Sequence, residues 1–282
     1  MDVRKLLQEF DIQPKKSLGQ NFLIDQRALE RIVETAELGP EDIVLEIGPG
    51  LGTLTRLLAA RAGQVVAVEL DSRLVEALKK ILADFSNVEI IHGDILELDP
   101  AALLTRAAGF QYKVVANLPY YITSAALRHL LTAAVKPKLM VVTVQLEVAQ
   151  RITAGPGGMS LLAVSVQFYG RPRIVTRIKA GAFYPSPQVD SAVVRIDLHD
   201  SPVVEVDNVD SFFEVVRAGF AQRRKQLRNA LAAKLALPPD EVSQALTMAG
   251  VNPKRRAQTL SIEEWARVWK EIRLAQSVSE YS

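Results

Sequence analysis

Residues Asn117-Leu118-Pro119-Tyr120-Tyr121 follow a short apolar run, Val114-Val115-Ala116, and their types suit one piece of chemistry. An Asn side-chain carbonyl, the main-chain carbonyl of Leu118 beside a Pro119 that has no N–H, and the ring of Tyr120 form a clamp for a flat amine. The exocyclic amino group of a nucleobase is such an amine, and a poor nucleophile, because its lone pair is delocalised into the ring. Two acceptors on its two N–H bonds would draw the nitrogen toward tetrahedral geometry and free the lone pair, while Tyr120 stacks on the base. No group is then needed to deprotonate it before attack. A strand-ending turn uses the same residue types, so the motif gains meaning only from its neighbours.

Three neighbours matter. Leu45-Glu46-Ile47-Gly48-Pro49-Gly50-Leu51-Gly52 sits at a strand-to-helix turn, where glycines let a ligand approach backbone N–H groups. A dinucleotide fingerprint wants glycine where Thr53 stands, which disfavours a nicotinamide cofactor. Glu69 ends the next strand, placed to accept both hydroxyls of a ribose, and Asp94 in Gly93-Asp94-Ile95 ends the one after, placed to accept from an adenine amino group. A solvated strand end for Glu69 and an N-cap for Asp94 are the plainer alternatives. Together, these acids, the glycine turn and the clamp fall along one carboxyl edge of a sheet, where α/β folds bind ligands.

The elements that must carry these residues alternate. Strand-like Ile43–Ile47, Val65–Leu70, Val88–Ile91, Val114–Ala116 and Leu139–Val144 are interleaved with helical patterns, including Ala28–Leu38 and Ser72–Phe85, and predict a parallel sheet covered on both faces. Arg173–Lys179 and Ala192–Asp197 read as an antiparallel edge pair joined by the loop Phe183-Tyr-Pro-Ser-Pro-Gln-Val-Asp190. Beyond Ser201-Pro202 the chain reads as helices over Val209–Ala221, Arg224–Leu235, Asp240–Gly250 and Ile262–Leu274, with a mobile end from Gln276. Two domains are expected, 1–200 and 201–282.

The 282 residues, 49% of them hydrophobic, can fill real cores. Net charge is only +2, but Ala134–Ala182 holds seven bases against one acid, Glu147, and the run Arg223-Arg224-Lys225-Gln226-Leu227-Arg228 is a second basic cluster, with Lys254-Arg255-Arg256 a third. In Arg171–Lys179 the bases Arg173, Arg177 and Lys179 fall at odd positions, so a strand projects them to one side, where they can track phosphates. The absence of cysteine excludes disulfides, thiolate metal sites and cysteine nucleophiles, and His92, His129 and His199 lack ligand spacing, so no metal is expected. No run is long and apolar enough for a membrane span or a signal core, and a cytoplasmic monomer is expected.

With Gln20-Asn21-Phe22-Leu23 and Phe183-x-Pro-x-Pro-x-Val-Asp-Ser added, these residues resemble the S-adenosylmethionine-dependent rRNA adenine N6-dimethyltransferases over nearly the whole chain. The opening Lys15–Leu23 and the segments Phe220–Asn229 and Arg256–Ser261 resemble the bacterial small-subunit branch most closely. The resemblance implies a Rossmann-like methyltransferase domain with a mixed seven-stranded sheet and a small all-helical C-terminal domain. It implies S-adenosylmethionine held by Asn21, Leu23, Gly48, Gly50, Glu69, Asp94 and Asn117. It places the target adenine against Asn117, Leu118, Pro119 and Tyr120, with Phe183 stacking on the opposite face of a flipped base. The implied substrate is two adjacent adenines in a hairpin loop near the 3′ end of small-subunit (16S) rRNA, within the assembling subunit. Arg173, Arg177, Lys179, Arg223, Arg224, Lys225 and Arg228 are then candidate RNA contacts. A large-subunit rRNA methyltransferase and a non-catalytic assembly factor on the same fold remain alternatives.

Overall fold

The computed structural model describes residues 2–104 and 112–279. The chain forms two compact units, Met1–Gln150 with Arg171–Leu198, and Arg151–Gly170 with His199–Ser282.

In the first unit, β2 (Ile43–Ile47), β3 (Gln64–Glu69), β4 (Val88–His92), β5 (Tyr112–Asn117), β6 (Leu139–Gln145), β7 (Gly170–Ile178) and β9 (Ser191–Leu198) form a seven-stranded sheet in the order β4-β3-β2-β5-β6-β9-β7. The pairs β3–β4, β2–β3, β2–β5 and β5–β6 are parallel and β6–β9 is antiparallel, so the sheet is mixed. The helices α2 (Gln26–Thr35), α3 (Thr53–Ala59), α4 (Ser72–Ile81) and α6 (Thr123–Thr132) belong to this unit. Asp25 caps α2 by accepting from Ala28 N–H, and its apolar positions Leu29, Ile32 and Val33 are buried with Val44, Val115, Val141 and Val193. That spacing puts one apolar stripe on the sheet.

The chain moves outward from β2 through β3 to β4, then returns to the other side of β2 as β5. Strand order therefore reverses between β2 and β5, the place where doubly wound sheets leave a crevice at their carboxyl ends.

Two elements lie outside the sequence expectation. Helix α1 (Val3–Glu9) buries Val3 and Leu7 with Ile12, Phe22, Leu51, Leu74 and Ala77, which anchors the start of the chain on α4. Burial of two such side chains stabilises this anchorage by about 3–5 kcal/mol at most. The short strands β1 (Phe22–Leu23) and β8 (Phe183–Tyr184) pair antiparallel, Leu23 opposite Phe183.

In the second unit, α9 (Val209–Phe220), α10 (Leu227–Leu235), α11 (Pro239–Met248) and α12 (Ile262–Ser279) are joined by α8 (Leu161–Tyr169). A cut near residue 200 leaves α8 with the sheet, whereas the compact units place it with the terminal helices. The reason is packing: α8 is apolar apart from Ser165 and Gln167, and its Phe168 ring stacks on Phe212 at 5.0 Å and meets Phe213 edge-on at 5.2 Å. Helix α10 begins at Leu227 rather than Arg224, since Arg223–Lys225 form an exposed turn, and α12 continues past Leu274 to Ser279. Residues 280–282 lie outside the described residues. Among the described residues no helix is long and apolar enough to cross a membrane, and no group of acids or histidines could hold a metal.

Candidate active site

At the switch point between β2 and β5 lies an open cleft at the carboxyl end of the sheet, the usual place for a ligand in this architecture. Its walls are the turn after β2, the ends of β3 and β4, the segment after β5, and the chain-start segment Leu18–Leu23.

Asn117 closes β5. Its Nδ2 donates to Asn21 O at 3.1 Å, which fixes the amide so that Oδ1 is the free acceptor, and that atom is buried with no partner. A buried acceptor left unpaired costs roughly 1–3 kcal/mol, so this arrangement stores an unmet demand for an N–H. Leu118 donates its N–H to Thr143 O at 3.2 Å, and among the described residues its carbonyl accepts no hydrogen bond. Pro119 stands against the glycine turn, with Gly48 so close that a Cβ there would lie 3.5 Å from its ring. Tyr120 forms a wall of the cleft, with its hydroxyl held by the buried Ser191 Oγ at 2.6 Å.

The glycine turn works as expected at the backbone. Gly48, Gly50 and Gly52 all take positive φ (68°, 63°, 75°), a region that costs other residues about 1–2 kcal/mol. Gly50 donates its N–H to Glu69 Oε2 at 3.1 Å, and Asp71 donates its N–H to Glu69 Oε1 at 2.9 Å. Each carboxylate oxygen retains a lone pair for a ligand hydroxyl. Burial pushes the Glu69 carboxyl above its ordinary pKa, against the pull of these N–H groups. Asp94 Oδ1 accepts from Leu96 N–H at 2.9 Å, which caps the turn, and the residue lines the cleft.

Glu46 is 1% exposed, and burial raises its pKa to about 8, opposed in part by Thr55 and helped by the nearby Glu69 charge. Thr55 Oγ1 lies beside it without forming a bond of hydrogen-bonding geometry, and both Glu46 Oε2 and Thr55 Oγ1 are buried without partners. Glu46 is thus a polar group in the cleft wall whose Oε2 lacks a donor.

Asn21, Leu23, Gly48, Gly50, Glu69, Asp94, Asn117, Leu118, Pro119 and Tyr120 all line this one cleft. Phe183 does not. It is 3% exposed and sits in the core with Leu23, Ile178 and Val193, where its strand β8 pairs with β1. Pairing with the chain-start strand turns an expected stacking platform into a support for Leu23. Among the expected RNA contacts, Arg173 and Arg177 on β7 and Arg223, Arg224 and Lys225 in the turn before α10 are exposed. Lys179 is exposed but paired with Asp190 at 2.8 Å, and Arg228 directs Nε to Asn229 Oδ1 at 3.2 Å. Arg255, in the third basic cluster, is taken up by Glu264 and Thr259.

Sequence reasoning missed Asp71, and it placed Gln20 and Tyr121 in the runs Gln20–Leu23 and Asn117–Tyr121 without a role of their own. Asp71 reads only as a helix cap, yet it is buried and bonded to Gln20. Tyr121, 55% exposed, stands at the cleft mouth against Gly19. Nothing in the local spacing of Asp71 distinguishes it from an ordinary helix cap.

The comparisons with known proteins agree with this geometry. The family described as ribosomal RNA adenine dimethylase matches residues 12–274. A ribosomal RNA small subunit methyltransferase A from Dehalococcoides mccartyi is 49% identical over 262 residues, covering 93% of this chain and 89% of that protein. One from Pelotomaculum thermopropionicum is 48% identical over 276 residues, covering 94% of each. Among solved structures, a 23S rRNA methyltransferase, ErmE, matches with a TM-score of 0.70 at 32% identity over 90% of this chain and 100% of that one. A dimethyladenosine transferase from Plasmodium falciparum matches with a TM-score of 0.75 at 24% identity over 90% and 98%, which speaks to the fold alone. The match spans the sheet, the clamp and the terminal helices together, and the chain belongs to the ribosomal RNA adenine dimethylase family.

Proposed function

We infer that this protein uses S-adenosylmethionine to dimethylate N6 of two adjacent adenines in a hairpin loop near the 3′ end of small-subunit (16S) rRNA, acting as a monomer on the assembling subunit in the cytoplasm. The observation that carries the reading is the orphaned, buried Asn117 Oδ1 beside the open Leu118 carbonyl. Two unpaired acceptors at the end of β5 are what an exocyclic amine needs. The small-subunit target is supported by the relatives at 48–49% identity, against 32% for the large-subunit enzyme.

The cleft fits the methyl donor. Gly48 and Gly50 give a cradle without side chains, where a Cβ on Gly50 would meet the Phe22 ring at 2.9 Å. Glu69 would hold the ribose hydroxyls, Asp94 the adenine amino group, and Asn21 and Leu23 would close the chain-start side. Glu46, lacking a donor, faces the same space. When bound, the donor supplies an electrophilic methyl on a sulfonium. Asn117 and Leu118 bind the amine and orient its lone pair, Tyr120 bounds the base, and positioning supplies most of the acceleration. The alkylated nitrogen is an acidic cation and loses its proton to solvent. For the second transfer the remaining N–H needs only one of the two acceptors, which leaves room for the methyl already present.

Arg173, Arg177, Arg223, Arg224 and Lys225 offer exposed charge for phosphates, with Lys179 and Arg228 contributing from partly engaged positions. Arg224→Glu with Arg228→Glu should weaken subunit binding and flatten its salt dependence. Unchanged binding would remove that turn from the interface. The test of the whole reading is transfer of radiolabelled methyl to small subunits lacking the modification, followed by nucleoside digestion. N6,N6-dimethyladenosine in small-subunit RNA, absent with large subunits, is expected; label on large subunits alone would transfer the assignment to the other target.

A further inference from the structure

Residues 13–21 form a strap between two anchored points, Ile12 in the α1 cluster and Phe22 in β1. The strap closes on itself, since Lys15 donates its N–H to Gln20 Oε1 at 2.7 Å. It is tied to the sheet on both sides of the cleft. On the amine side, Asn21 O accepts from Asn117 Nδ2. On the other side the ties converge on one carboxylate: Gln20 Nε2 donates to Asp71 Oδ2 at 3.0 Å, and Lys15 Nζ lies 3.5 Å from the same oxygen.

Asp71 is 3% exposed, does not line the cleft, and has every polar group engaged. Arg73 Nη2 donates to Oδ2 at 2.7 Å, and Arg73 N and Nε donate to Oδ1 at 3.2 and 3.1 Å. Arg73 also reaches Gln13 O at 3.5 Å, so even this partner grips the strap. Meanwhile the Asp71 N–H orients Glu69 Oε1. An N-cap for α4 explains the bond to Arg73 N. It does not explain a buried carboxylate shared between the strap and α4, on a residue whose N–H orients Glu69.

We propose that Asp71 is a positioning residue that latches the 13–21 strap across the donor side of the cleft through Gln20 while orienting Glu69. One carboxylate that meets neither ligand then sets both the donor-side wall and, through the Gln20–Asn21 backbone, the acceptor that aims Asn117. The latch rests on the donor assignment made above, and the experiment separates the two.

The measurement is calorimetric affinity for S-adenosylmethionine, without RNA, in the wild-type protein, Gln20→Ala, Asp71→Asn and the double variant. Limited trypsin cleavage after Lys15 and Lys16 is followed in parallel. Gln20→Ala leaves the α4 cap and the Glu69 bond in place, so it tests the strap even where Asp71→Asn folds poorly. Loss of one hydrogen bond to a charged group predicts about tenfold weaker donor binding in each single variant, no further loss in the double, and faster cleavage in all three. The donor KM should rise more than the KM for RNA in Gln20→Ala. Wild-type donor affinity and cleavage rate in Gln20→Ala, or additive losses in the double variant, would reduce Asp71 to a helix cap. A wild-type protein that does not bind the donor would overturn the donor assignment and the latch with it.

Discussion

The two ends of the central sheet treat buried polar groups in opposite ways. At the amino end, Lys113 is only 7% exposed, and its Nζ donates to Ala36 O, Glu37 O and Asp42 Oδ2 at 3.1, 2.7 and 2.9 Å. Nearby Arg195 donates to Thr35 O, to Glu37 and to Asp197, and its hydrogen bond holds the Glu37 carboxyl below the ordinary range. Every donor has an acceptor, and α2 gains cations at its carboxyl end. At the carboxyl end of the same sheet, Glu46 Oε2, Thr55 Oγ1, Asn117 Oδ1 and Thr143 Oγ1 are buried without partners. The difference teaches which end is built to hold the fold together and which is built to receive something. Unmet polar groups cost stability, and a protein retains them where a ligand completes them.

Substitutions at the two ends should therefore separate activity from stability. The largest effect is expected for Asn117→Ala, which removes an acceptor that the fold does not use together with one donor to Asn21 O. Methyl transfer should fall about 10²–10³-fold or more while RNA binding persists and stability falls by no more than about one hydrogen bond, roughly 1 kcal/mol. Full activity would sink the clamp.

Lys113→Met should do the reverse. It strands Asp42 and two carbonyls, costing about 2–4 kcal/mol, with turnover unchanged at temperatures where the protein stays folded. Denaturant unfolding and initial rates on the same sample would decide it, and a loss of turnover without destabilisation would abolish the contrast between the ends.

Gly50→Ala imposes a strained φ and crowds Phe22, so donor affinity should drop about tenfold with a modest loss of stability. Calorimetry that finds unchanged affinity would remove the glycine turn from the donor site.

The subtlest effect concerns pH. The fold favours protonated Glu46, whose pKa is about 8 rather than 4.5. Its contribution to stability is present in full below about pH 4.5 and is lost as pH rises through 8. Glu46→Gln carries no such penalty. Thermal melts of the two proteins should coincide near pH 5 and diverge toward pH 9 in favour of the variant, by about 2–4 °C for each kcal/mol relieved. Parallel melting curves across that range would show that Glu46 is solvated and not held neutral.

Much of the fold could be read from local pattern. Strands β2 to β6 were expected within a residue or two of where they lie, because short β-rich runs bounded by glycine, acid or Asn leave few other conformations. Helix α8 could not be read: Leu161–Tyr169 is apolar apart from Ser165 and Gln167, so it shows little helical period, and its docking against Phe212 explains it. The cleft residues on strand ends were legible for the same reason the strands were. Phe183 was not, because its surroundings are set by Leu23, Ile178 and Val193, remote from it in the chain or on other strands.

The sequence by itself determined the strand ends, the glycine turn and the identity of the acceptors, since these follow from residue type and short-range spacing. Tertiary structure decided which acceptors are free. Asn21 engages one end of the Asn117 amide, Ser191 holds Tyr120, β1 draws Phe183 into the core, and Asp71 joins strap to sheet. Whether a polar atom is satisfied depends on partners dozens of residues away in the chain, and only folding brings them within hydrogen-bonding reach.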